Sequence, residues 1–354
     1  MRKISILLLI ILPFIIEACK PDVPVTPGGV VVGKGVYVLN EGTYTFANGS
    51  LSFYDPEADT VANRLFYRAN GSPIGDVAQS LALVDENLFI VVNNSNYIYK
   101  VNASSLACDT TQPFKLGDFY SPRFMLPISR DKAYVSDLTG KDLWIINPED
   151  MSHTGTIAMG KPTETMVQVG SEVYVTNWSN YYANDVENNT VQVVDANNDL
   201  KVAEIQVGKE PNGMVVDKDG QVWVLCEGAI WDEDAEDPSL WRINPMSKKA
   251  ECMATFDGSA MNLAVDPSGT YLYYFLDGDV RRANINAPTA EDAFCVSGEG
   301  HTFYKLAVNP NNGEVYVTDA KNYMQNGTVY RYTSDGALLS SFNVGICPSF
   351  MLFN

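Results

Sequence analysis

Aromatic and amide side chains are concentrated in long segments that each follow a predicted strand. Four such segments span residues 40–49, 177–185, 227–234 and 319–327. Tyrosine and tryptophan provide a large, rigid contact area with a polar group, and asparagine adds adaptable hydrogen bonds. Long loops within a compact fold usually carry function. These residue types in loops of this length predict noncovalent binding of a flat, partly apolar ligand.

The candidate ligand-binding residues come from these segments and from the starts of neighbouring strands. They are Tyr44, Phe46, Tyr120, Arg123, Trp178, Tyr181, Tyr182, Trp231, Phe303, Tyr304 and Tyr323. For any one of them, the alternative is that the side chain packs its loop onto the domain and contacts no ligand. As a set, they predict a rim that binds a ligand or a partner.

The sequence contains no arrangement that predicts catalysis. Its two histidines, His153 and His301, are far apart in the chain, and no cluster of histidine, cysteine and carboxylate has metal-ligand spacing. Neither a Gly-x-Ser-x-Gly motif nor a phosphate-binding loop is present. The acidic run at 232–237 lacks the spacing of a calcium loop and is interpreted as solvated. We therefore predict no catalytic residue, no metal site and no catalytic cofactor. A propeller enzyme of the lactonase or quinoprotein type is the less favoured alternative.

The elements that must position these loops are marked by a repeated strand. Residues 173–177, with the sequence Val-Tyr-Val-Thr-Asn, recur in seven versions whose centres lie 40 to 53 residues apart. Their β-branched and aromatic residues suit a buried strand, and turn signals divide each repeat into four strands. A period of this length predicts an all-β fold, a seven-bladed β-propeller of four-stranded antiparallel blades.

The two ends of the repeated region predict how the ring closes. The first repeat, centred at Tyr37, has no inner strand before it, and residues 347–354 match residues 121–127 at the start of an inner strand. The C-terminal strand is therefore predicted to complete the first blade, which removes exposed sheet edges. In such blades, the inner strand starts and the second strand ends on the same side. The candidate residues should consequently gather around one rim.

The first residues predict export and lipidation. Arg2 and Lys3 precede an apolar run at 4–16 that is too short to span a bilayer. The sequence Ile-Glu-Ala-Cys at 16–19 resembles the lipobox of bacterial lipoproteins. This resemblance implies a signal peptide at 1–18, a lipid anchor on Cys19, a tether at 19–34 and a propeller at 35–354. The protein would then contact a membrane through its acyl chains only. An ordinary cleaved secretory signal is the alternative.

Charge and cysteine content limit the partners and the crosslinks. The chain has 43 acidic and 24 basic residues, a net charge of −19, and so acidic a surface disfavours nucleic acid as a partner. Five cysteines besides Cys19 remain, an odd number without metal-ligand spacing. We expect these five to be buried, unpaired thiols, with one disulfide as the alternative. They are Cys108, Cys226, Cys252, Cys295 and Cys347.

The repeated strand at 174–177 resembles the signature of the YVTN (YncE-like) family of seven-bladed propellers. Together with the lipobox, the acidic composition and the aromatic loops, it also resembles the surface vitamin B12-binding propeller lipoproteins of gut Bacteroidetes. The narrower resemblance implies high-affinity binding of cobalamin, a corrinoid, on one propeller face. It also implies a location on the cell surface, anchored to the outer membrane, and transfer of the ligand to a TonB-dependent outer-membrane vitamin B12 transporter. A surface propeller that binds glycans or another protein through the same rim is the alternative.

Overall fold

The fold is a closed ring of seven blades. The computed structural model describes residues 32–115, 117, 120–229, 235–290 and 292–354. Its strands form seven antiparallel sheets of four strands each. Consecutive inner strands neighbour one another around the ring, and the last returns to the first. The predicted fold class, including the number of blades and of strands per blade, is confirmed.

Blades 1 to 4 are formed by residues 36–206, except that blade 1 also contains the C-terminal strand. Blade 1 contains β1 (Val36–Asn40), β2 (Ser50–Asp55), β3 (Thr60–Ala62) and β28 (Pro348–Phe353). Blade 2 contains β4 (Ala78–Val84), β5 (Asn87–Val92), β6 (Tyr97–Asn102) and β7 (Phe114–Lys115). Blade 3 contains β8 (Pro122–Ser129), β9 (Lys132–Asp137), β10 (Asp142–Asn147) and β11 (Ser152–Ala158). Blade 4 contains β12 (Met166–Val169), β13 (Glu172–Thr176), β14 (Thr190–Asp195) and β15 (Leu200–Gln206).

Three further blades complete the ring. Blade 5 contains β16 (Pro211–Val216), β17 (Val222–Cys226), β18 (Ser239–Asn244) and β19 (Lys249–Thr255). Blade 6 contains β20 (Ala260–Val265), β21 (Tyr271–Leu276), β22 (Asp279–Asn284) and β23 (Cys295–Val296). Blade 7 contains β24 (Phe303–Val308), β25 (Val315–Asp319), β26 (Asn326–Tyr332) and β27 (Leu338–Ile346).

The repeated strand is the second strand of every blade, and its tyrosine packs between blades. Tyr174 on β13 is fully buried and belongs to the same apolar cluster as Val222 and Val224 of blade 5. Tyr316 on β25 packs in the same way with Val38 of blade 1. Removing a side chain of this size from water contributes roughly 2 kcal/mol. The hydrophobic core is therefore divided among the interfaces between neighbouring blades.

Strand β28 closes the ring by pairing with β1. The two strands are antiparallel, with Val36 opposite Phe353 and Val38 opposite Met351. Met351 is buried in the cluster shared by blades 7 and 1. The predicted completion of the first blade by the C-terminal strand is confirmed, and it satisfies the backbone groups that would otherwise form an open sheet edge.

A short helix, α1 (Leu65–Asn70), connects blade 1 to blade 2 and was not predicted from the sequence. Its six residues are too few to show a helical period. Leu65 and Phe66 are buried in the cluster of blades 1 and 2. Gly71 ends the helix in the left-handed conformation, with its N–H bonded to the carbonyl of Tyr67. The helix replaces most of an outer strand, because β3 has only three residues.

The cysteines agree with the prediction in one respect and not in another. All five in the described part of the chain are free thiols. However, only Cys226 and Cys347 are buried, whereas Cys252 and Cys295 are exposed and Cys108 is half-buried. The expectation that all five are buried is wrong, because Cys252 and Cys295 lie on outer strands whose outward residues face solvent.

Within the described residues, no helix is both long and apolar enough to cross a membrane.

Met351→Ala tests the closure of the ring. The substitution leaves a cavity at the seam between blades 7 and 1, so we expect a loss of about 2–5 kcal/mol in the free energy of unfolding. The measurement is denaturant unfolding followed by circular dichroism. The control is Leu339→Ala on the exposed part of β27, which should change stability by less than about 0.5 kcal/mol. Equal stability of the two variants would contradict the role of β28.

Candidate ligand-binding face

The site is built on the side of the ring where inner strands start and second strands end, called here the loop face. The other side, the opposite face, carries short turns such as the one between β8 and β9. The last residue of the repeated strand fixes the loop face. Asp137 accepts hydrogen bonds through Oδ1 from the backbone N–H groups of Ser121, Thr139 and Gly140, at 2.9–3.0 Å. It thereby joins the end of β9 to the start of the inner strand β8.

The end of the second strand is joined to the start of the inner strand in other blades too, by an asparagine in blade 4 and an aspartate in blade 7. Asn177 donates from Nδ2 to the carbonyl of Pro162 at 2.8 Å. Asp319 accepts from the backbone N–H of Thr302 and contacts His301 Nδ1 at 3.0 Å. The pKa of Asp319 is lowered: burial opposes ionisation, but the His301 contact and the backbone N–H groups outweigh it. His301 is therefore a polar side chain that is paired within the fold.

β-bulges near the loop face turn polar side chains toward the axis. The pairing of inner and second strands shifts register in six blades, beside or within the inner strands β28, β4, β8, β16, β20 and β24. A bulge adds a residue to one strand and re-aims its side chain. The residues inserted at these shifts include Ser349, Gln79, Arg123, Asn212, Asn262, Tyr304 and Lys305.

These side chains, with three glutamates, form a polar group around the channel mouth. We call it the channel ring, defined as Glu41, Gln79, Arg123, Glu164, Asn212, Glu227, Asn262, Tyr304, Lys305 and Ser349. Only Arg123 and Tyr304 of these residues are among those predicted from the sequence. The missed signal is a polar residue at a corresponding position of each otherwise apolar inner strand. Below the mouth, the axis contains a cavity of about 150 Å³ lined by inner-strand residues such as Met214, Lys305 and Phe350.

Arg123 is the best-connected member of the channel ring. Its Nε and Nη2 donate to Glu164 at 2.8–3.0 Å, and its Nη1 donates to Gln79 Oε1 at 2.8 Å. Glu164 is almost completely buried. The guanidinium of Arg123 also lies 5.6 Å from the ring centre of Trp178, a distance typical of a cation–π contact. Trp178 Nε1 in turn donates to Glu227 at 3.2 Å. Arg123 and Trp178, both candidate residues, are therefore brought together in a network to which blades 2, 3, 4 and 5 contribute.

Burial shifts the pKa values of the ring's ionisable groups. It raises the pKa of Glu41 despite the hydrogen bond donated by Tyr304, and it raises the pKa of Glu227 despite the one donated by Asn212. Burial lowers the pKa of Lys305, although three glutamates favour its charged form. Lys305 Nζ makes no hydrogen bond or ion pair with any described residue. The amino group of Lys305 is therefore partly desolvated and has no direct partner among the described residues.

Exposed aromatic rings form two groups on opposite sides of the channel mouth. One group, from blades 1 and 7, contains Tyr44, Phe46 and Tyr323, which are 67%, 65% and 47% exposed. The two loops touch, since Thr43 Oγ1 donates to the carbonyl of Tyr323 at 3.4 Å. The other group contains Tyr181 and Tyr182 of blade 4, whose rings are 4.8 Å apart. Blade 4 is three blades from blade 1 in one direction and three from blade 7 in the other.

The remaining candidate residues are less available. Tyr120 packs edge-to-face on Trp144 with ring centres 4.5 Å apart. Phe303 stacks on His301 at 5.1 Å and also packs near Phe275 of blade 6. Tyr304 is half-buried and donates to Glu41 at 2.9 Å. For these rings, packing within the fold explains the aromatic residue. Trp231 lies outside the described residues, as does Cys19.

The arrangement defines a class of protein: a propeller whose loop face combines exposed aromatic rings with a buried polar mouth. No group of three or more histidine, cysteine, aspartate or glutamate residues in the described part of the chain is placed to hold a metal ion. The chain belongs to the family DUF5074, a domain of unknown function, whose model matches residues 34–354. No curated protein sequence matches the chain.

Several solved structures are similar. A quinonprotein alcohol dehydrogenase-like protein from Bacteroides thetaiotaomicron VPI-5482 is 18% identical, with a TM-score of 0.67 over 90% of this chain and 78% of that one. A hypothetical selenium-binding protein from Sulfolobus tokodaii is 12% identical, with a TM-score of 0.66 over 91% and 92%. A functionally unknown protein from Desulfotomaculum acetoxidans DSM 771 is also 12% identical, with a TM-score of 0.63 over 91% and 99%. At these identities the similarity concerns the fold.

Glu41→Gln tests the electrostatics of the channel ring. The pKa of Glu41 is raised in the folded protein, so the folded state binds the carboxyl proton more tightly than the unfolded chain does. Stability is therefore lost as the pH rises through the folded pKa. A neutral glutamine removes that loss. We expect the variant to melt at a higher temperature than the wild type at pH 7, with the difference vanishing below about pH 4.

The control for this experiment is Glu57→Gln in the exposed turn after β2. Thermal melts of all three proteins between pH 3 and 8 make the comparison. A lower melting temperature for Glu41→Gln at pH 7 would show that the ionised carboxylate stabilises the mouth and would contradict the assignment.

Proposed function

We propose that this protein binds a corrinoid such as vitamin B12 on its loop face and acts as a binding protein rather than an enzyme. The observation that carries the proposal is the placement of two exposed aromatic groups on opposite sides of a polar channel mouth. A corrinoid has a broad, partly apolar ring fringed with amides. The aromatic groups would cover the apolar parts, while the channel ring would exchange hydrogen bonds with the amides.

The size of the channel supports a ligand that lies across the mouth. The axial cavity of about 150 Å³ is smaller than the roughly 300–1,000 Å³ of ordinary small-molecule pockets. A large ligand would therefore remain on the loop face, between Tyr181 and Tyr182 on one side and Tyr44 and Phe46 on the other. Tyrosine rings bury much area with little loss of conformational entropy. Several such rings are sufficient for nanomolar affinity, about −12 kcal/mol.

The channel ring adds selectivity in this proposal. Lys305 has an amino group without a hydrogen-bond acceptor among the described residues, and Asn212 and Asn262 carry amides in the lining of the same cavity. A ligand carbonyl that accepts from Lys305 would complete a site whose polar groups are already desolvated. A ligand without such an acceptor would leave this donor unsatisfied, which costs binding free energy.

Location and transfer complete the proposal. The predicted lipid on Cys19 would anchor the protein to the outer membrane, and the tether at 19–34 would separate the propeller from the lipid. A loop face on the cell surface would then collect the corrinoid and pass it to a TonB-dependent transporter in the same membrane. The narrower resemblance in the sequence supports this part.

Titration of the full chain in detergent with cyanocobalamin tests the proposed ligand. We expect binding at nanomolar concentration by isothermal calorimetry. The double variants Tyr44→Ala with Phe46→Ala, and Tyr181→Ala with Tyr182→Ala, should each weaken binding on the order of 10–100-fold, because exposed aromatic anchors contribute most of the energy at such sites.

The matched control replaces two exposed apolar residues of the opposite face, Leu200 and Met246, by alanine. This variant should bind like the wild type. No heat of binding at micromolar cyanocobalamin would end the corrinoid proposal. Binding of glycans on an array, lost in the same aromatic variants, would favour the glycan-binding alternative for this face.

Lipidation is tested separately by labelling cells with a palmitate analogue. The wild-type chain should incorporate the label and remain with the outer membrane after fractionation. Cys19→Ser should lose both the label and the membrane association, whereas Cys108→Ser should retain them. An unlabelled wild-type protein that is released in soluble form would instead indicate an ordinary secretory signal.

A further inference from the structure

The loop face contains a second cavity, between the outer halves of blades 7 and 1. It has a volume of about 440 Å³ and is separate from the axial channel. We call it the side pocket, lined by Ala47, Asn48, Gly49, Ser50, Asn63, Arg64, Tyr67, Pro73, Ile74, Asn326, Val344, Gly345 and Ile346. Its size falls within the roughly 300–1,000 Å³ typical of small-molecule sites.

The side pocket exists because blade 1 has an incomplete outer strand. Strand β3 pairs only with Phe53, Tyr54 and Asp55 of β2, so the start of β2 at Ser50 has no strand outside it. Helix α1 and residues 73–74 wall the resulting gap on one side, and the end of the nine-residue strand β27 walls it on the other. Gly345 allows the end of β27 to approach β2 closely at the floor of the gap, since a Cβ there would lie 2.3 Å from Ser50 Oγ.

The lining of the side pocket is unlike the rest of this acidic protein. It includes one arginine and no aspartate or glutamate, in a chain with a net charge of −19. The guanidinium of Arg64 lies 5.1 Å from the ring centre of Tyr67. Its N–H groups have no hydrogen-bond acceptor among the residues that the structure describes. The local charge therefore favours an anionic group.

Further donors and an aromatic surface surround this arginine. Asn48 accepts from the Thr43 backbone N–H through Oδ1 at 2.7 Å, which leaves its amide N–H groups available. Asn326 contributes another amide at the start of β26. Tyr67 is 46% exposed and offers a ring surface, while Ile74 supplies an apolar wall. Arginine binds a phosphate through two parallel N–H bonds, and a tyrosine ring packs favourably with another aromatic ring.

We propose that the side pocket binds a phosphate ester that carries a heteroaromatic group. Resting on the proposed function, the inference is that this group is the nucleotide appendage of a corrinoid whose ring lies on the neighbouring aromatic group. The connection is direct, because Phe46 of that group immediately precedes Ala47 and Asn48 of the side pocket. The pocket would then distinguish complete cobalamins from corrinoids without a nucleotide.

Calorimetric titration of the full chain in detergent with cyanocobalamin and with dicyanocobinamide, which lacks the nucleotide, tests the inference. The wild type should bind cyanocobalamin at least about tenfold more tightly, as expected for one charge-assisted anchor. Arg64→Gln should remove this preference by weakening cyanocobalamin alone. Tyr67→Ala, at a half-exposed ring, is a second variant that should act in the same direction. The matched control is Arg130→Gln, at an exposed arginine of the opposite face.

The outcomes separate this inference from the proposed function. Equal affinity for both corrinoids, unchanged in Arg64→Gln, would overturn the side-pocket inference and leave corrinoid binding intact. If neither corrinoid binds, the proposed function fails, and titration with adenosine monophosphate decides the rest. Binding of this nucleotide that is lost in Arg64→Gln would keep a phosphate-ester site in the pocket. Absence of binding would overturn the inference as well.

Discussion

The structure depends on the hydrogen bonds that tie the end of each second strand to the start of its inner strand. In blade 3, one carboxylate oxygen of Asp137 holds three backbone N–H groups. Such bonds satisfy backbone donors that leave the sheet at the loop face, where an unpaired buried donor would cost about 1–3 kcal/mol. They also fix where each inner strand begins. The positions of the bulges, and with them the direction of the channel-ring side chains, follow from this constraint.

The channel ring shows how a buried set of charges is tolerated. Arg123 and Glu164 form a bidentate pair with few unsatisfied groups, which offsets the cost of desolvation. Lys305 is held less completely, and burial lowers its pKa. Buried polar networks that are only partly satisfied are uncommon in stable cores and frequent in functional sites. The incomplete satisfaction around Lys305 is therefore the feature of the ring that points most directly to a ligand.

The repeats do not share the residues proposed to bind a ligand. Exposed aromatic rings occur in the loops of blades 1, 4 and 7, and the side pocket depends on the short strand β3 of blade 1. The symmetric part of each blade supports the fold, while departures from symmetry create the apolar contacts and the second cavity. A large ligand without sevenfold symmetry would need such departures, because identical blades would offer the same contact in every direction.

The sequence alone determined the class of fold, the number of blades and the closure by the C-terminal strand. Each of these rests on a local pattern, such as the Val-Tyr-Val-Thr-Asn run at 173–177, or on the match between the end of the chain and residues 121–127. It also identified the loops that carry the exposed rings of Tyr44 and Tyr181. It did not separate them from rings such as Tyr120 that pack within the fold.

Only the tertiary structure decided which side chains meet. Arg123 pairs with Glu164 from the next blade, and Trp178 bonds to Glu227, 49 residues away. The exposure of Cys252 and Cys295, the helix α1 and the side pocket likewise became visible only in the folded chain. The physical reason is that a bulge adds one residue to a strand and redirects its side chain. The partner that this side chain then contacts is set by the neighbouring blade, which no local pattern describes.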